Sequence, residues 1–393
     1  MERKYYITTY GCQGNIRDSE NISGLLEALG MLEAKTLDEA DLVVVNSCSV
    51  RQASEDKVYG FAKKISVLRT KNPKLKTVLT GCMVGSVTGE RPRHDVQILR
   101  AKTPWVDHYL NINDLPGLPT YLIESNLIDS WGVKGPPNLW EPKTKEHRGT
   151  AYVNISQGCD NFCTFCVVPY ARGKETSRTK EEIVSEVEKL AALGYKEIML
   201  LGQNVNSWGL TSTRKLLSRK RLGEIPFSEL LRLLHEKAGI EKIKFITSNP
   251  FDFTADLVET LKLPKIDRYL HLPVQSGDNE ILQKMNRRHS REDYLELVAE
   301  IKRAVPEIEL GTDIIVGFPG ETEAQFLNTV DLVKRVGFKV IFTALYSPRP
   351  GTISAKLYKD DVSRSEKQRR HAYLTKVWQD AKRQRKVDEP TIL

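Results

Sequence analysis

The sequence predicts an α/β protein. A doubly wound parallel-sheet domain comes first, then a partial (β/α)6 barrel, then a basic C-terminal helix. Two observations carry the sheets. Short apolar runs alternate with amphipathic helical stretches, and this happens in two separate series. A third observation separates the series: a Pro- and Gly-rich stretch with "DLPGLP" and "KGPPNLWEP" lies between them.

In the first series "YYITTY" reads as a strand and Asp18–Leu29 as an amphipathic helix. "DLVVVN" is a continuous apolar strand, Ala53–Leu68 is helical, and "KTVLT" and "VDHYL" are further strands. Buried apolar strands alternating with helices imply parallel pairing, so residues 1–115 form one domain. Residues 116–149 have linker chemistry and are expected to cross the surface between domains. The second series, 150–350, offers "AYVNIS", "EIMLLG", "KIKFIT", "RYLHL", "ELGTDIIVG" and "VIFTALY" as strands. Helical patterns at Lys180–Leu193, Phe227–Ala238, Asp293–Ala304 and Glu323–Val336 separate them. Right-handed crossovers then place every strand C-terminus on one face, where the chemistry of such folds resides. Residues 351–393 form the tail. Tyr373, Val377 and Ala381 share one stripe of its helix and Leu374 and Trp378 another, for packing on the barrel.

The 393 residues are 40% hydrophobic and 28% charged, which suits a globular chain and excludes a disordered one. No apolar run reaches membrane-spanning length, and "MERKYYITTYGC" has no signal-peptide core, so a cytoplasmic location without membrane contact is expected. The net charge is +8. Ser363–Lys386 holds nine Lys/Arg against two acids, and Thr213–Leu222, "TRKLLSRKRL", holds five basic residues and no acid. Such clusters suit a polyanion such as RNA; solvated helix and loop faces are the plainer alternative.

The six cysteines are Cys12, Cys48, Cys82, Cys159, Cys163 and Cys166. A reducing cytoplasm disfavours disulfides and leaves metal ligation as the better account. Cys159, Cys163 and Cys166 have C-x-x-x-C-x-x-C spacing just beyond the first barrel strand. Thiolates select zinc or iron–sulfur clusters. A structural zinc site wants four ligands, and the nearest histidine, His147, lies in the linker. A 4Fe–4S cluster on three cysteines leaves one iron open for another ligand. Cys12, Cys48 and Cys82 each closely follow a predicted strand. Parallel strands bring such ends to one sheet edge, so three residues far apart in sequence can make a second cluster site.

These cysteines stand in "YGCQGNIRDSE", "VVNSCSVRQASEDK", "TGCM" and "QGCDNFCTFCVVPYARG". With "LLGQNVNSWG", "LHLPVQSGDNEILQKMNR", "TDIIVGFPGET" and "YSPRPGT", the chain from about Tyr5 to Thr352 resembles the methylthiotransferase family of radical S-adenosylmethionine enzymes. "CVVPY" and "LPVQSG" resemble most the MiaB branch, whose members methylthiolate isopentenylated adenosine beside the tRNA anticodon. The resemblance implies that Cys159, Cys163 and Cys166 hold the cluster whose open iron chelates S-adenosylmethionine, for one-electron cleavage to a 5′-deoxyadenosyl radical. It implies that Cys12, Cys48 and Cys82 hold an auxiliary 4Fe–4S cluster that supplies sulfur, and that a second S-adenosylmethionine gives the methyl group. A tRNA anticodon stem-loop, a sulfur donor and an electron donor such as flavodoxin or ferredoxin are the implied partners of a monomeric enzyme. Polar residues at strand ends are candidate S-adenosylmethionine contacts: Gln203, Asn204, Ser248, Gln275, Ser276, Thr312 and Asp313. Arg172 and Arg349 are candidates for pairing with a substrate carboxylate or an RNA phosphate.

The family's C-terminal TRAM domain has no counterpart before the chain stops at "VDEPTIL". Either the sequence is truncated, or tRNA is bound without that domain, in which case the basic tail and "TRKLLSRKRL" are expected to supply more of the phosphate contacts. Other readings stay open: a target in N6-threonylcarbamoyladenosine of tRNA or an aspartate of a ribosomal protein, a zinc-dependent RNA-binding protein without catalysis, or a degenerate family member serving as scaffold.

Overall fold

Lys4–Tyr10 (β1), Leu32–Glu33 (β2), Leu42–Ser47 (β3), Lys76–Thr80 (β4) and His108–Tyr109 (β5) form a five-stranded parallel sheet in the order β2-β1-β3-β4-β5. The structure is a computed structural model and describes residues 3–129 and 149–388. Every residue of β3 is buried, as its continuous apolar run requires of a strand covered on both faces. Gln13–Ala28 (α1), Gln52–Gly60 (α2), Ala62–Lys71 (α3), Cys82–Thr88 (α4) and Val96–Lys102 (α5) supply the layers.

Three local outcomes differ from the sequence reading. Helix α1 starts at Gln13, five residues before the expected Asp18, because Cys12 caps it and Asn15 closes a capping box; its polar first turn carries no hydrophobic stripe. The helix expected over Ala53–Leu68 is two helices. Gly60 ends the first, and Phe61 turns inward, 4% exposed, to meet the Trp105 ring at 5.8 Å. The packing of the first domain also runs past residue 115. A 3-10 turn at Ile112–Gly117 leads into Leu118–Glu124 (α6), and Leu118, Leu122 and Leu127 complete a core with Ile22, Leu26 and Val44. The remaining linker, 130–148, lies outside the described residues.

Two compact units result: Met1–Asn161 with Cys166–Tyr195, and Phe162–Phe165 with Lys196–Leu393. The first therefore also contains Thr150–Asn154 (β6), the antiparallel pair Ser156–Gln157 (β7) and Thr176–Ser177 (β8), Val168–Ala171 (α7) and Lys180–Ala192 (α8). Pairing of β7 with β8 pins both ends of the segment that carries Cys159 and Cys166. Helix α7 packs against α4, and the contact is closest at Gly85, where a Cβ would stand 2.1 Å from the Ala171 carbonyl oxygen.

In the second unit Glu197–Leu201 (β9) pairs in parallel with Lys242–Phe245 (β10), with Arg219–Leu222 (α9) and Pro226–His235 (α10) between them in sequence. Ala255–Thr260 (α11) leads to Tyr269–His271 (β11). Asn279–Lys284 (α12) and Arg291–Ala304 (α13) lead on to Glu309–Val316 (β12), and Glu323–Val336 (α14) to Val340–Leu345 (β13). The order β11-β12-β13 is parallel throughout. After Ile353–Leu357 (α15), the tail helix Arg364–Asp388 (α16) packs on α14 and β13. Leu374 is fully buried there, and Trp378 Nε1 donates to the Phe338 carbonyl at 3.0 Å. Its basic face is not all in water: Lys367 and Arg370 are buried and paired with Asp360 and Glu321. Among the described residues no helix is long and apolar enough to cross a membrane.

Two stability measurements check this packing. Gly85→Ala should lower the unfolding free energy, read from a denaturant titration, by about 1–3 kcal/mol although alanine favours helix, because overpacking forces α4 from α7. Gly60→Ala, where nothing lies within 4 Å of the added Cβ, should not destabilise. His289 is pushed down to about 3, first by burial and then by the Arg287 charge. Its ring stays neutral in the folded chain while the unfolded chain binds a proton below pH 6.5. Stability should therefore fall as pH drops from 6.5 toward 3, and His289→Phe should flatten that limb of a pH-dependent melt.

Candidate functional site

Parallel register places the N-terminal cysteines. Tyr10 lies beside Ser47, and Asn46 beside Thr80. Cys12, Cys48 and Cys82 thus leave three adjacent strands within two residues of one sheet edge. Gly81, at φ +87°, makes the turn that brings Cys82 to the head of α4. Cys48 and Cys82 approach within hydrogen-bonding reach, and the charges of Cys82 and, more weakly, Cys12 act on Cys48. Asn15 Oδ1 lies 3.6 Å from Cys12 Sγ, and Asn15 Nδ2 donates to Asn46 Oδ1 at 3.1 Å. An asparagine lattice therefore fixes the loop of Cys12 against the strand of Cys48.

The sulfurs accept hydrogen bonds. Val50 N donates to Cys48 Sγ at 3.3 Å, Val168 N to Cys166 Sγ at 3.4 Å, and Arg287 Nη1 to Cys163 Sγ at 3.4 Å. Arg172 Nε donates to Cys82 Sγ at 3.2 Å. Hydrogen bonding from Cys48 and the charge of Arg172 hold the buried Cys82 thiol well below its ordinary value, while Cys48 is pushed up. Donors aimed at sulfur fit metal-bound thiolates, whose lone pairs are tuned by such outer contacts.

Cys159 and Cys166 belong to the first unit. Cys159 is buried, and its N–H meets the Gly173 carbonyl at 3.4 Å; Cys166 sits at the foot of α7. Cys163 belongs to the second unit, where Thr164 bonds the Met285 and Lys284 carbonyls at 3.0 and 2.8 Å. Phe165 packs there on Ile281, Met285, Phe318 and Tyr346.

The seven polar strand-end residues all lie in the second unit, at the carboxyl ends of β9, β10, β11 and within β12. Asn204 and Ser248 are 2% exposed, and Asn204 Oδ1 and Ser248 Oγ have no hydrogen-bond partner among the described residues. Orphaned buried polar atoms cost about 1–3 kcal/mol each and call for a ligand. Gln275 is held at φ +72° with its N–H on the Asp313 carbonyl. Asp313 Oδ2 faces His271 Nε2 at 3.0 Å. Ser276 and Thr312 are fully buried and bond within the fold, Thr312 Oγ1 to the Leu272 carbonyl at 3.0 Å. Gln203 is partly exposed beside Asn204.

Arg172 differs from its expected use. Arg172 is 5% exposed, and its guanidinium fork closes on both Asp18 oxygens at 3.1 and 2.5 Å. The fork expected to meet a substrate anion is given to the protein's own carboxylate. Arg349 is 7% exposed, and its carbonyl accepts from Thr352 N and Oγ1 at 3.1 and 2.8 Å. The basic loop is likewise partly spent: Arg219 pairs with Glu300 at 2.7 Å and Lys220 with Glu296 at 2.8 Å. Sequence reasoning missed Asn15, Asp18, Asn46 and Arg287. Each stands within two to six residues of a cysteine or inside a quoted motif, and only the fold shows what it touches.

Non-glycine residues with positive φ are Asn126, Phe162, Thr247, Gln275 and Asn286 among the described residues. Four border the site: Phe162 precedes Cys163, Thr247 precedes Ser248, Asn286 precedes Arg287, and Gln275 is itself a candidate. Strain of this kind collects where geometry is held for function.

Residues 153–333 match the radical SAM superfamily, and residues 4–98 match the protein family UPF0004. The fold is that of solved radical S-adenosylmethionine enzymes. The methyltransferase TsrM from Kitasatospora setae superposes with a TM-score of 0.64 at 16% identity, covering 90% of this chain and 74% of that one. The cobalamin-dependent enzyme OxsB gives 0.55 at 13%, covering 96% and 56%. The protein is thus a radical S-adenosylmethionine enzyme. Among curated relatives, tRNA-2-methylthio-N(6)-dimethylallyladenosine synthase of Syntrophomonas wolfei is 44% identical over 93% of this chain and 80% of its own length. That of Clostridium botulinum strain Langeland is 41% identical over 95% and 81%. The chain belongs to the tRNA-2-methylthio-N(6)-dimethylallyladenosine synthase family.

Ser248→Ala should weaken S-adenosylmethionine binding on the order of tenfold, the value of one good hydrogen bond, in an anaerobic titration. The same change should leave the unliganded chain at least as stable, since it removes an unpartnered buried hydroxyl.

Proposed function

We propose that this chain is a methylthiotransferase that places a methylthio group on C2 of N6-isopentenyladenosine beside the tRNA anticodon. The observation that carries the reading is the placement of Cys12, Cys48 and Cys82 within two residues of the ends of three adjacent parallel strands, in a chain that also carries the C-x-x-x-C-x-x-C loop. Two triads of thiolates with donors on their sulfurs suit two 4Fe–4S clusters and suit zinc poorly, since each set lacks a fourth thiolate. The names of the relatives support the substrate. In this reading residues 1–115 with the segment around Arg172 form the auxiliary-cluster domain, and 150–350 form the radical domain.

Bound there, the clusters and S-adenosylmethionine supply an electron, a carbon radical and sulfur for an adenine C2–H that acid–base chemistry cannot activate. The chain's own part is placement. Cys159, Cys163 and Cys166 hold one cluster, and Cys12, Cys48 and Cys82 the other. Asn204 Oδ1 can accept from, and Ser248 Oγ can donate to, the polar groups of S-adenosylmethionine. Gln203, Gln275, Ser276, Thr312 and Asp313 shape the rest of that rim, with His271 orienting Asp313. Arg349 is assigned to the substrate side. Two exposed bases, Arg364 on α16 and Arg221 on α9, remain for tRNA phosphates, because their buried neighbours are already paired. The enzyme works as a cytoplasmic monomer with a small iron–sulfur or flavin protein as electron donor and a separate sulfur donor.

Nucleoside mass spectrometry tests this. The chain is expressed in a bacterium without its own adenosine methylthiotransferase. The expected product is 2-methylthio-N6-isopentenyladenosine. A methylthiolated threonylcarbamoyladenosine in its place would overturn the substrate, and a colourless zinc protein would overturn the chemistry.

A further inference from the structure

Arg172 links two parts of the sequence that the cysteine sets keep apart. It stands six residues after Cys166, yet its Nε donates to Cys82 Sγ at 3.2 Å. Its fork is held by Asp18, five residues into α1. A Cβ on Gly14 would lie 3.6 Å from Cys12 Sγ and 3.9 Å from Arg172 Nη2, so the guanidinium also lies on the Cys12 side of the triad. Arg172 is 5% exposed and Asp18 4%. A charge this deep is costly to bury and acts on its neighbours with little screening.

We propose that Arg172 is a positioning residue that sets the reduction potential of the cluster held by Cys12, Cys48 and Cys82, with Asp18 as its counterweight. Reduction adds one negative charge to the cluster and its sulfurs. A buried cation hydrogen-bonded to one of those sulfurs favours the reduced form and raises the potential. Asp18 partly cancels that charge and aims the fork, so the potential reflects the difference between the two. Neither group exchanges an electron, a proton or sulfur. The effect acts through Cys82, and the packing of α7 on α4 at Gly85 keeps the distance short. The arginine first read as a substrate contact thereby becomes part of the sulfur centre.

The inference rests on the reading of these three cysteines as a cluster site, and the test separates the two. The full chain is reconstituted without oxygen and titrated with mediators, following paramagnetic resonance with and without S-adenosylmethionine. The signal that S-adenosylmethionine leaves unchanged belongs to the N-terminal cluster. Arg172→Gln should shift the midpoint of that signal to lower potential, and Arg172→Lys should restore part of the shift. The S-adenosylmethionine-sensitive signal should stay where it is. Asp18→Asn should shift the same midpoint upward. It decides the matter where Arg172→Gln fails to load iron: an upward shift supports the inference, and an unmoved midpoint overturns it. Full iron content with an unmoved midpoint in Arg172→Gln also overturns it. Absence of any S-adenosylmethionine-insensitive cluster in the unaltered chain would instead overturn the reading of the cysteines.

Discussion

Parallel register is the constraint on which the N-terminal half depends. A cysteine is a small, easily buried side chain, and three of them scattered over 70 residues share nothing until strand pairing aligns their backbones. Once β1, β3 and β4 run side by side, each strand must end at the same edge, and whatever follows it is delivered there. The apolar runs that make the strands are therefore also the device that gathers the ligands. Helix α1 begins directly after Cys12 and α4 directly on Cys82, so both cysteines stand at helix N-termini on that one edge.

A second constraint follows from charge. The first unit buries several ions: Arg17 is fully buried and bonds Glu20 and Glu186 at 3.2 and 2.9 Å, while Glu186 also takes Arg178 at 2.5 Å. Such networks seldom add much net stability, since desolvation offsets Coulomb attraction. Their geometry is their use. Helix α1, which carries Arg17 and Asp18 as consecutive residues, is fixed to α8 by one pair and to the Arg172 segment by the other. An apolar contact of equal strength would tolerate sliding; a bidentate fork does not.

Much of this was legible beforehand, for different reasons. The strands were visible because runs such as "LVVVN" have no other stable place, and α14 was bounded correctly because a Thr322 cap and Gly337 at φ +70° mark both ends. The cysteine sets were visible because spacing and strand ends are properties of sequence. Helix α1 was started late because its first turn is polar, and its cap is a cysteine rather than a usual capping residue. Charge was the least legible. The "TRKLLSRKRL" stretch has no acid within it, yet Glu296 and Glu300 on α13 neutralise two of its bases from more than 70 residues away. Arg172 read as a surface anion binder for the same reason: a sequence shows that a cation exists, and only the fold shows which carboxylate already has it.

Strain completes the account of the second unit. Thr247 is β-branched and held at φ +71°, a conformation that costs on the order of 1–3 kcal/mol. It places Ser248 at the end of β10 with its hydroxyl buried and unpartnered, which is a second cost in the unliganded chain. Neither would persist in a fold selected for stability alone, because a glycine and an alanine would relieve both. The two costs lie on adjacent residues beyond the carboxyl end of β10, beside β9, whose own carboxyl end leads to Asn204 and its orphaned oxygen. A ligand that satisfied Asn204 and Ser248 together would recover what the empty arrangement forgoes, and would find its partners already fixed rather than needing to order them.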